Sequence, residues 1–511
     1  MNRLWRDLWL ADSRPDQASQ TSAGDEIAFL GLRVEALHRA GALRDVGIMM
    51  NAAPARGASA PPGLAVLRAR HLIAVGKSDE GCRAQRGSSA GAAGRSSARV
   101  PRALRGMAAL IAGYCAARRG DRAGAALSAN LARDAGERAP LALAILEAMG
   151  RGEKPELSVP QRMDVLAFRF LRLVSSADPA RVVPIATPAL LAAIARDQTL
   201  QVTTRLLAGE RAAQINALDA RTLGAIYLAA AAAADAKTAN AAKKGAQRRA
   251  AWFAKVTKDR DFVQRARAAY LLFDDARASG LAATVATLLQ PYLDQMRDAA
   301  SVDWFAEAAI EVALHAGDAQ SARRWVAAAP PSLRHWRAVV EVAAVQGGPQ
   351  ARRRTQIARA PQEGRDNVRG IGRGDAGPGA AMPGLDEVER LARDGRIEAV
   401  TLHRLVTVLD ALDVHTPIPL WEAASRTPQP TDGYLPPTGA LARLSQGAKR
   451  ADVGATALIA LQALGKAGPR GANMLALGDV IKALRRVGLH DHARAIAVEA
   501  LIAKWPRLPR R

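Results

Sequence analysis

The sequence has few aromatic residues and few residues that favour β-strands. Tryptophan, tyrosine and phenylalanine make up only 4% of the 511 residues, although 49% of the chain is hydrophobic. The commonest hydrophobic residue is alanine, which has the highest intrinsic helix propensity, whereas the strand formers Val, Ile, Thr and Tyr are comparatively scarce. This composition argues against a sheet-rich protein. It predicts an all-α fold in which neighbouring helices approach each other closely.

The sequence also lacks an apolar run that is long enough to cross a bilayer. The longest clean stretch, Leu223 to Ala234, has 12 residues and is mostly alanine, whereas a spanning helix needs about 20. The first 12 residues include Arg3, Arg6 and Asp7, so they do not form the uninterrupted apolar core of a secretory signal. We therefore expect a cytoplasmic protein without a transmembrane segment, unless the N-terminus is truncated.

Cysteine is nearly absent, since the chain contains only Cys82 and Cys115. Their spacing matches neither a zinc site nor a Cys-x-x-Cys redox motif. The two residues fall on helices that would be neighbours in a stack of helix pairs, so a disulfide between them is geometrically feasible. The alternative is two buried thiols that act as small apolar side chains. If the bond forms, the protein belongs to an oxidising compartment such as the periplasm.

The sequence contains no arrangement typical of an active site. We find no Ser-His-Asp set, no paired-carboxylate motif and no cluster with metal-ligand spacing. His490 and His492 flank Asp491, but two imidazoles without a further His or Cys nearby fall short of the three or four ligands of a zinc site. We therefore expect no catalytic, cofactor-binding or metal-binding residues, and a protein that is not an enzyme.

The formal net charge is +24, and four segments carry most of it. Residues 83–105, 243–260, 346–383 and 504–511 contribute +6, +6, +4 and +4, so the rest of the chain is nearly neutral. Basic segments attract polyanions such as nucleic acid and anionic lipid. Polyanion binding is therefore an alternative function, through local segments rather than through the whole molecule.

The run from Lys243 to Arg260 is the strongest candidate for such binding. It contains one aromatic pair, Trp252 and Phe253, and binding to single-stranded nucleic acid combines basic side chains with stacking rings. The alternative is a solvated helix face whose long side chains carry their charges into water. The candidate polyanion contacts are Lys243, Lys244, Arg248, Arg249 and Lys255.

A glycine followed five positions later by a residue of modest size recurs along the chain. This pattern predicts a helix that ends at the glycine, a tight turn, and a second helix that packs closely on the first. The pairs are Gly41 with Val46, Gly76 with Gly81, Gly120 with Ala125, Gly317 with Ala322, and Gly488 with Ala493. Among the other helices, the sequence predicts one from Pro188 to Arg196 and one from Ile397 to Leu412.

The clearest helix pair is residues 106–140, with Gly113 on its first helix, Gly120 in its turn, and Ala125 and Ala132 on its second helix. This unit resembles a tetratricopeptide repeat, and the pairs around Gly317 and Gly488 are similar to it. The bulky aromatic positions of that family are mostly alanine here, and the turns are not spaced by its 34 residues. The resemblance implies an irregular α-solenoid that holds a peptide or protein partner on its concave face.

Two segments interrupt the helical pattern. Apart from Gln85 and Val100, residues 83–100 are Ser, Gly, Ala and Arg, and residues 346–383 are rich in Gly, Pro and Arg. Neither buries enough apolar surface to offset its loss of conformational entropy, so we expect both to be disordered. A mundane alternative is that both are out-of-frame translations in a GC-rich bacterial gene.

The sequence therefore predicts four parts. These are an N-terminal helix and linker (1–24), a solenoid (25–345) interrupted by 83–100, a linker (346–383) and a smaller C-terminal helical domain (384–511). The leading hypothesis is a non-enzymatic scaffold for protein–protein interaction. The alternatives are a polyanion-binding protein and an extracytoplasmic envelope protein.

Overall fold

The computed structural model describes residues 1–11, 23–52, 62–90, 100–158, 160–175, 178–234, 245–297, 303–345 and 382–507. These residues are predominantly α-helical. Their β pairing is limited to two isolated bridges, Met163 with Ala186 and Tyr434 with Ala472. The prediction of an all-α fold is therefore confirmed.

The chain divides into two compact units. The N-terminal unit comprises Trp9–Lys255 and Asp275–Thr284, and the C-terminal unit comprises Met1–Leu8, Val256–Asp274 and Val285–Arg511. Both differ from the parts that the sequence predicts, since the helices between residues 303 and 345 belong to the C-terminal unit and not to an N-terminal solenoid. Each unit is described separately below.

The helices of the N-terminal unit follow one another with short connections. They are α2 Ala23–Arg39, α3 Leu43–Ala52, α4 Pro62–Ala74, α5 Ser78–Ala90, α6 Arg105–Arg118, α7 Arg122–Asp134, α8 Pro140–Arg151, α9 Val165–Val174, α10 Pro188–Arg196, α11 Val202–Gln214 and α12 Ala220–Ala233. Four further helices contribute residues to both units: α1 Asn2–Leu10, α13 Ala246–Lys258, α14 Phe262–Ala278 and α15 Ala282–Leu289.

The remaining helices belong to the C-terminal unit. They are α16 Leu293–Arg297, α17 Ala306–Ala316, α18 Ala319–Ala328, α19 Trp336–Ala344, α20 Leu385–Arg393, α21 Ala399–Leu412, α22 Ile418–Ser425, α23 Thr438–Lys449, α24 Val453–Ala463, α25 Met474–Arg486 and α26 His490–Ile502. Short 3-10 turns lie at Arg102–Leu104, Pro179–Ile185, Gln290–Tyr292, Asp303–Phe305, Pro331–Leu333 and Gly468–Arg470.

Close packing of alanine and glycine holds the helix pairs of the N-terminal unit together. The side chains of Ala125, Ala129 and Ala132 on α7 are completely buried, and α7 packs on both α6 and α8. A Cβ atom added to Gly113 of α6 would lie 2.7 Å from Leu146 Cδ1 and 2.9 Å from Ser128 Cβ. The glycine therefore permits the close approach that the sequence predicts for this unit.

Aromatic packing explains why residues 303–345 belong to the C-terminal unit. Helix α19 packs on α26, and the rings of Trp336 and Trp505 lie 6.3 Å apart. His335 stacks on Trp505, and its Nε2 lies 3.0 Å from the carbonyl oxygen of Pro506. The guanidinium of Arg507 donates to the fully buried carboxylate of Glu311 at 2.8 Å. Trp505 and Arg507 thus bind α19 and α17, which lie far earlier in the sequence.

The structure describes only part of the two segments that the sequence predicts to be disordered. Helix α5 continues to Ala90, so residues 83–90 are helical, contrary to the prediction for 83–100. The prediction took the lack of aliphatic side chains as evidence against a helix. Backbone hydrogen bonds can still form a helix there when contacts to neighbouring helices hold its first residues in place. Residues 91–99, and residues 346–381 of the predicted linker, lie outside the described residues.

Within the described ranges, no helix is both long enough and apolar enough to cross a membrane.

Candidate functional site

The five glycine turns named from the sequence share one capping geometry. Each glycine has a positive φ, between 73° and 87°. Its amide donates to the carbonyl three residues earlier, and the next amide donates to the carbonyl five residues before it. This is the Schellman arrangement, which satisfies the last carbonyls of a helix and needs a left-handed residue. The turns are at Gly41, Gly76, Gly120, Gly317 and Gly488.

The residue five positions after each glycine is the fourth residue of the next helix and packs against the previous one. Val46, Ala125, Ala322 and Ala493 are completely buried. At the remaining turn, a Cβ atom on Gly81 would lie 2.8 Å from Ile73 Cγ1 and 2.9 Å from the carbonyl oxygen of Ala69. The repeated signature therefore marks helix hairpins and has a packing role.

The same turn also occurs where the sequence pattern did not reveal it. Asn216, Asp413 and Ala451 adopt positive φ without being glycine, and the amides that follow them make the same bond to a carbonyl five residues back. Further glycine turns of this geometry lie at Gly136, Gly152, Gly280 and Gly395. Hairpin turns are therefore more frequent than the glycine pattern indicates, because Asn, Asp and occasionally Ala can take the left-handed position.

Cys82 and Cys115 form a disulfide that joins α5 to α6. Their Cα atoms lie 5.6 Å apart, and the bond closes a sequence separation of 33 residues. Both side chains are buried, with 7% and 4% of their surface exposed. The structure thus has the bond that the sequence left open as one of two alternatives.

Polar contacts support the same junction. The hydroxyls of Ser78 and Tyr114 lie 3.0 Å apart in a buried hydrogen bond, and the Arg118 guanidinium lies 2.9 Å from Asp79 Oδ1. Gly81 permits α5 to approach α4. Helix α5 is therefore fixed by a covalent bond, a buried hydroxyl pair and a close backbone contact.

The basic helix α13 does not present Arg249 to solvent, which corrects its prediction as a polyanion contact. Its Nε and Nη2 donate to the two carboxylate oxygens of Glu210 at 2.7 Å and 2.5 Å, and Nη1 pairs with Asp275. The Tyr227 hydroxyl donates to the same Glu210 at 2.7 Å. Arg249 and Glu210 are each only 6% exposed.

The electrostatics of this cluster follow from its burial. Burial raises the pKa of Tyr227 well above its ordinary value, and the Glu210 carboxylate adds to that effect. Burial alone would lower the pKa of Arg249, but the hydrogen bonds and charge of Glu210 outweigh it and raise the pKa. Removing Arg249 would leave the buried Glu210 carboxylate without its compensating charge. Arg249 therefore has a structural role in the N-terminal unit.

The other predicted polyanion contacts differ in their surroundings. The Arg248 guanidinium lies 4.8 Å from the ring centroid of Trp252. Lys255 is exposed, whereas Lys243 and Lys244 lie outside the described residues. Phe253 is 4% exposed and packs beside Tyr227, so this ring is not available to stack on a base. The helix therefore lacks the exposed aromatic pair that the polyanion hypothesis requires.

A groove in the N-terminal unit is the main candidate for ligand binding. It has a volume of about 490 Å³ and is lined by α2, α4, α6, the starts of α8 and α10, and the segment that begins α9. We call it the N-terminal groove. Helices α2, α4, α6 and α10 are each the first of a sequential pair that packs together. Its lining residues are Glu35, His38, Arg39, Arg70, Ile73, Ala74, Met107, Leu110, Glu137, Arg138, Ala139, Ala142, Arg162, Asp164, Val165, Leu166, Ala167, Thr187 and Ala189.

Part of the charge in the groove is neutralised internally. Glu35 accepts a hydrogen bond from Arg39 and forms an ion pair with Arg70: its carboxylate oxygens lie 2.7 Å from Arg39 Nε and 2.7 Å from Arg70 Nη2. Burial alone would raise the pKa of Glu35, but the two guanidiniums hold it below its ordinary value. The Asp164 carboxylate caps α9 by accepting from the Ala167 amide at 2.8 Å.

Other groups in the groove have no partner among the described residues. The side chains of Glu137, Arg138 and Arg162 make no hydrogen bond or ion pair there. His38 Nε2 is buried without a hydrogen-bond partner. Burial, with Arg70 nearby, holds the pKa of His38 well below its ordinary value, so this imidazole is neutral at pH 7. Unpaired polar groups around an apolar floor are typical of a binding site.

Metal chemistry finds little support in the part of the chain that the structure describes. No group of three or more His, Cys, Asp and Glu side chains lies close enough there to hold a metal ion. His492 Nε2 lies 3.5 Å from Asp7 Oδ2, within the C-terminal unit. The imidazole of His492 thus lies beside a carboxylate.

The fold and its groove define a class, namely an all-α protein built from helix hairpins with short Schellman turns. Comparisons with protein-family models, with curated proteins and with solved structures each found no match. The relationship to tetratricopeptide repeats therefore stays a resemblance of the hairpin signature.

Sequence reasoning named no residue of the N-terminal groove as a ligand contact. Its residues come from six places along 155 positions, from Glu35 to Ala189, and no local motif connects them. One signal was present, since Glu35, His38 and Arg39 are polar residues at helical spacing on the first helix of a hairpin. A groove of this kind is indicated in a sequence by first helices of hairpins that carry apolar and charged residues on the same side.

Proposed function

We propose that this chain is a non-enzymatic helix-hairpin scaffold that binds a segment of a protein partner in the N-terminal groove. The observation that supports the proposal is the groove itself, where α4, α6 and the start of α9 provide an apolar floor and the segments before α8 and α9 provide unpaired charged side chains. Stacked helix pairs commonly use such extended concave surfaces for binding.

The proposal explains why the hairpin turns are so regular. Each Schellman turn fixes the angle between two helices, and each buried Val, Ala or Gly that follows sets their separation. A groove lined by several helices keeps its shape only when those angles and separations are fixed. The turns at Gly41, Gly76 and Gly120, which lie in the N-terminal unit, therefore support binding without contacting the ligand.

Site-specific photo-crosslinking in the native host tests this function. A benzophenone side chain at Ala139 or Leu166, which line the groove, should form an adduct with a partner protein. The matched control positions are Leu127 and Leu207, which are 60% and 49% exposed in the same unit and do not line the groove. Adducts from the groove positions alone support the proposal. It would be abandoned if the groove positions gave no adduct, or if the control positions captured the same protein equally well.

The Cys82–Cys115 disulfide bears on the compartment, and we propose that the scaffold works in an oxidising one. Structural disulfides persist in the periplasm and outside cells, whereas cytosolic thiols are kept reduced. Alkylation of the protein in intact cells, followed by mass spectrometry, checks this. A native protein with both thiols modified would place it in a reducing compartment.

A further inference from the structure

The N-terminal groove carries a second inference, which rests on the proposed function. We propose that it binds an extended peptide segment in which an acidic side chain lies beside an apolar one. Four features of the groove support this chemistry: two unpaired arginines, an apolar floor, an unpaired carboxylate and a neutral buried histidine.

The two unpaired arginines define the acidic position. Arg138 directly precedes α8 and Arg162 precedes α9, and both line the groove with their side chains exposed. Each guanidinium offers five N–H donors in a planar fork that fits a carboxylate. None of the three carboxylates that line the groove forms an ion pair with them. Glu35 is bound by Arg39 and Arg70, Asp164 caps α9, and Glu137 makes no ion pair among the described residues. A carboxylate of the partner would complete both guanidiniums.

The groove floor defines the apolar position. Ile73, Leu110 and Val165 are at most 4% exposed, and they line the same volume of about 490 Å³ as the two arginines. An aliphatic side chain that enters this volume loses its own water shell at little cost to already buried residues. The two arginines and the apolar floor would therefore contact neighbouring groups of one ligand.

Glu137 and His38 favour a peptide over a simple fatty acid. The Glu137 carboxylate has no donor among the described residues and would repel a ligand that brings only a carboxylate. A peptide backbone supplies one N–H donor and one C=O acceptor at nearly every residue. It can therefore donate to Glu137 and can meet His38 Nε2 in either tautomer of the neutral ring.

The total charge of the groove limits how acidic the segment can be. Four arginines and three carboxylates line it, which leaves a formal charge of +1 when His38 is neutral. One carboxylate matches this surplus, whereas a polyanion would meet Glu137 and Asp164 at the same surface. The recognised segment is thus moderately acidic.

A display library of random octapeptides, panned against the full-length protein, tests the inference. Peptides retained by the wild type should be enriched in Asp or Glu next to Leu, Ile, Val or Met. The test variant is Arg138→Ala with Arg162→Ala. The control variant is Arg172→Ala with Arg211→Ala, which removes two exposed arginines of the same unit that do not line the groove. Circular dichroism must first show that both variants are folded.

We expect the control variant to retain the same peptides and the test variant to lose the acidic enrichment. A retained peptide with a blocked C-terminus should then bind about tenfold more weakly after Asp→Asn exchange, as measured by fluorescence anisotropy. Octanoate, which provides a carboxylate and an aliphatic chain without a backbone, should not compete.

Three results would overturn the inference: no peptide is retained, retained peptides show no acidic preference, or the test variant retains them unchanged. Competition by octanoate at the affinity of the peptide would assign the site to fatty acids instead. If photo-crosslinking at Ala139 and Leu166 still captures a partner, the scaffold function survives and only the peptide chemistry is wrong. If the crosslinking also fails, both proposals fail.

Discussion

At the scale of single residues, the turn glycines fall into two kinds. Gly120 has a φ of +73°, but a Cβ atom there would meet nothing within 4 Å, so the glycine serves only the backbone conformation. A Cβ atom on Gly41 would lie 2.6 Å from the Pro188 carbonyl oxygen and 2.6 Å from Ala217 Cβ. Gly41 therefore also allows a hairpin turn to contact the start of α10.

This difference predicts unequal effects of the same substitution. Gly120→Ala should lower the free energy of unfolding by about 1 kcal/mol, the cost of placing alanine in the left-handed region. Gly41→Ala should cost more than about 3 kcal/mol, because it adds a clash with backbone that cannot rotate away. Urea unfolding followed by circular dichroism measures both. Equal losses would show that the contact of Gly41 with Pro188 does not form.

Two buried histidines on neighbouring helices give the N-terminal unit a specific sensitivity to acid. His71 lies beside Arg70 and Lys77, with His38 facing it from α2, and burial is the main cause that lowers its pKa to about 4. In the unfolded chain its pKa is about 6.5. The unfolded state therefore binds more protons between these values, so stability is complete above about pH 6.5 and falls as the pH drops toward 4.

The loss attributable to His71 should reach about 3 kcal/mol near pH 4, at about 1.4 kcal/mol for each unit of pKa shift. Urea unfolding of the wild type and of His71→Gln, at pH 7 and at pH 5, checks this. The variant should start less stable and lose less on acidification. Parallel curves for the two proteins would show that His71 does not titrate in this window. Carboxylates such as Glu35, whose pKa is lowered, add their own loss only below about pH 4.5.

At the scale of secondary-structure elements, α5 shows how a helix can be held without aliphatic side chains. Its sequence, from Ser78 to Ala90, contains no Leu, Ile, Val, Met or Phe. The anchors are Cys82 bonded to Cys115, Ser78 hydrogen-bonded to Tyr114, and Gly81 against α4. All lie in the first five residues of the helix, and Gln85 adds a longer hydrogen bond, at 3.4 Å, to the carbonyl oxygen of Ala108.

Loss of the disulfide should therefore release α5 more than any other helix. Closing a loop of 33 residues restricts the unfolded chain by about 3.5 kcal/mol in the chain-entropy description. We expect the double change Cys82→Ala with Cys115→Ala to lower unfolding stability by about 2–4 kcal/mol. Amide exchange, read by mass spectrometry, should quicken in residues 78–90 and stay unchanged in α7. Equal protection of α5 in the variant and the wild type would contradict this account.

Helix existence was readable from the sequence, whereas helix environment was not. The predicted helix Pro188 to Arg196 matches α10 residue for residue, and Ile397 to Leu412 differs from α21 by two residues at one end. Pro188 at the first position marks the start of α10 locally. The Schellman turn at Ala451 escaped detection because it lacks the glycine that signals this turn.

The burial of Arg249 in an ion pair could not be predicted from the local sequence. A basic helix face and a buried ion pair have the same local sequence, and only the position of Glu210, 39 residues earlier, distinguishes them. The N-terminal groove presents the same difficulty, because its charged residues converge from helices that are distant in sequence. Local patterns specify the helices, and contacts at long range specify what their side chains do.

At the scale of the whole molecule, a high net charge does not amount to one basic surface. Four separate segments carry +20 of the +24. One of the charges counted in them, Arg249, is neutralised inside the N-terminal unit by Glu210 and Asp275. Another, Arg507, is bound to the buried carboxylate of Glu311 in the C-terminal unit. The count of basic residues is thus larger than the number of basic side chains that a polyanion can contact.

This distribution predicts weak, salt-sensitive retention on heparin, with elution below about 0.2 M salt, since affinity for polyanions falls steeply as counterions compete. Exchanging Lys258 and Arg260 for serine should change the elution little, because it removes only two exposed charges from the segment. Exchanging Arg352, Arg353, Arg354 and Arg359 for serine removes four charges from a segment with only three acids, so this change should lower the eluting salt concentration more. Retention that survives well above physiological salt, and that depends on Lys258 and Arg260, would favour polyanion binding over the scaffold function. The peptide-panning result would then have to be explained by charge alone.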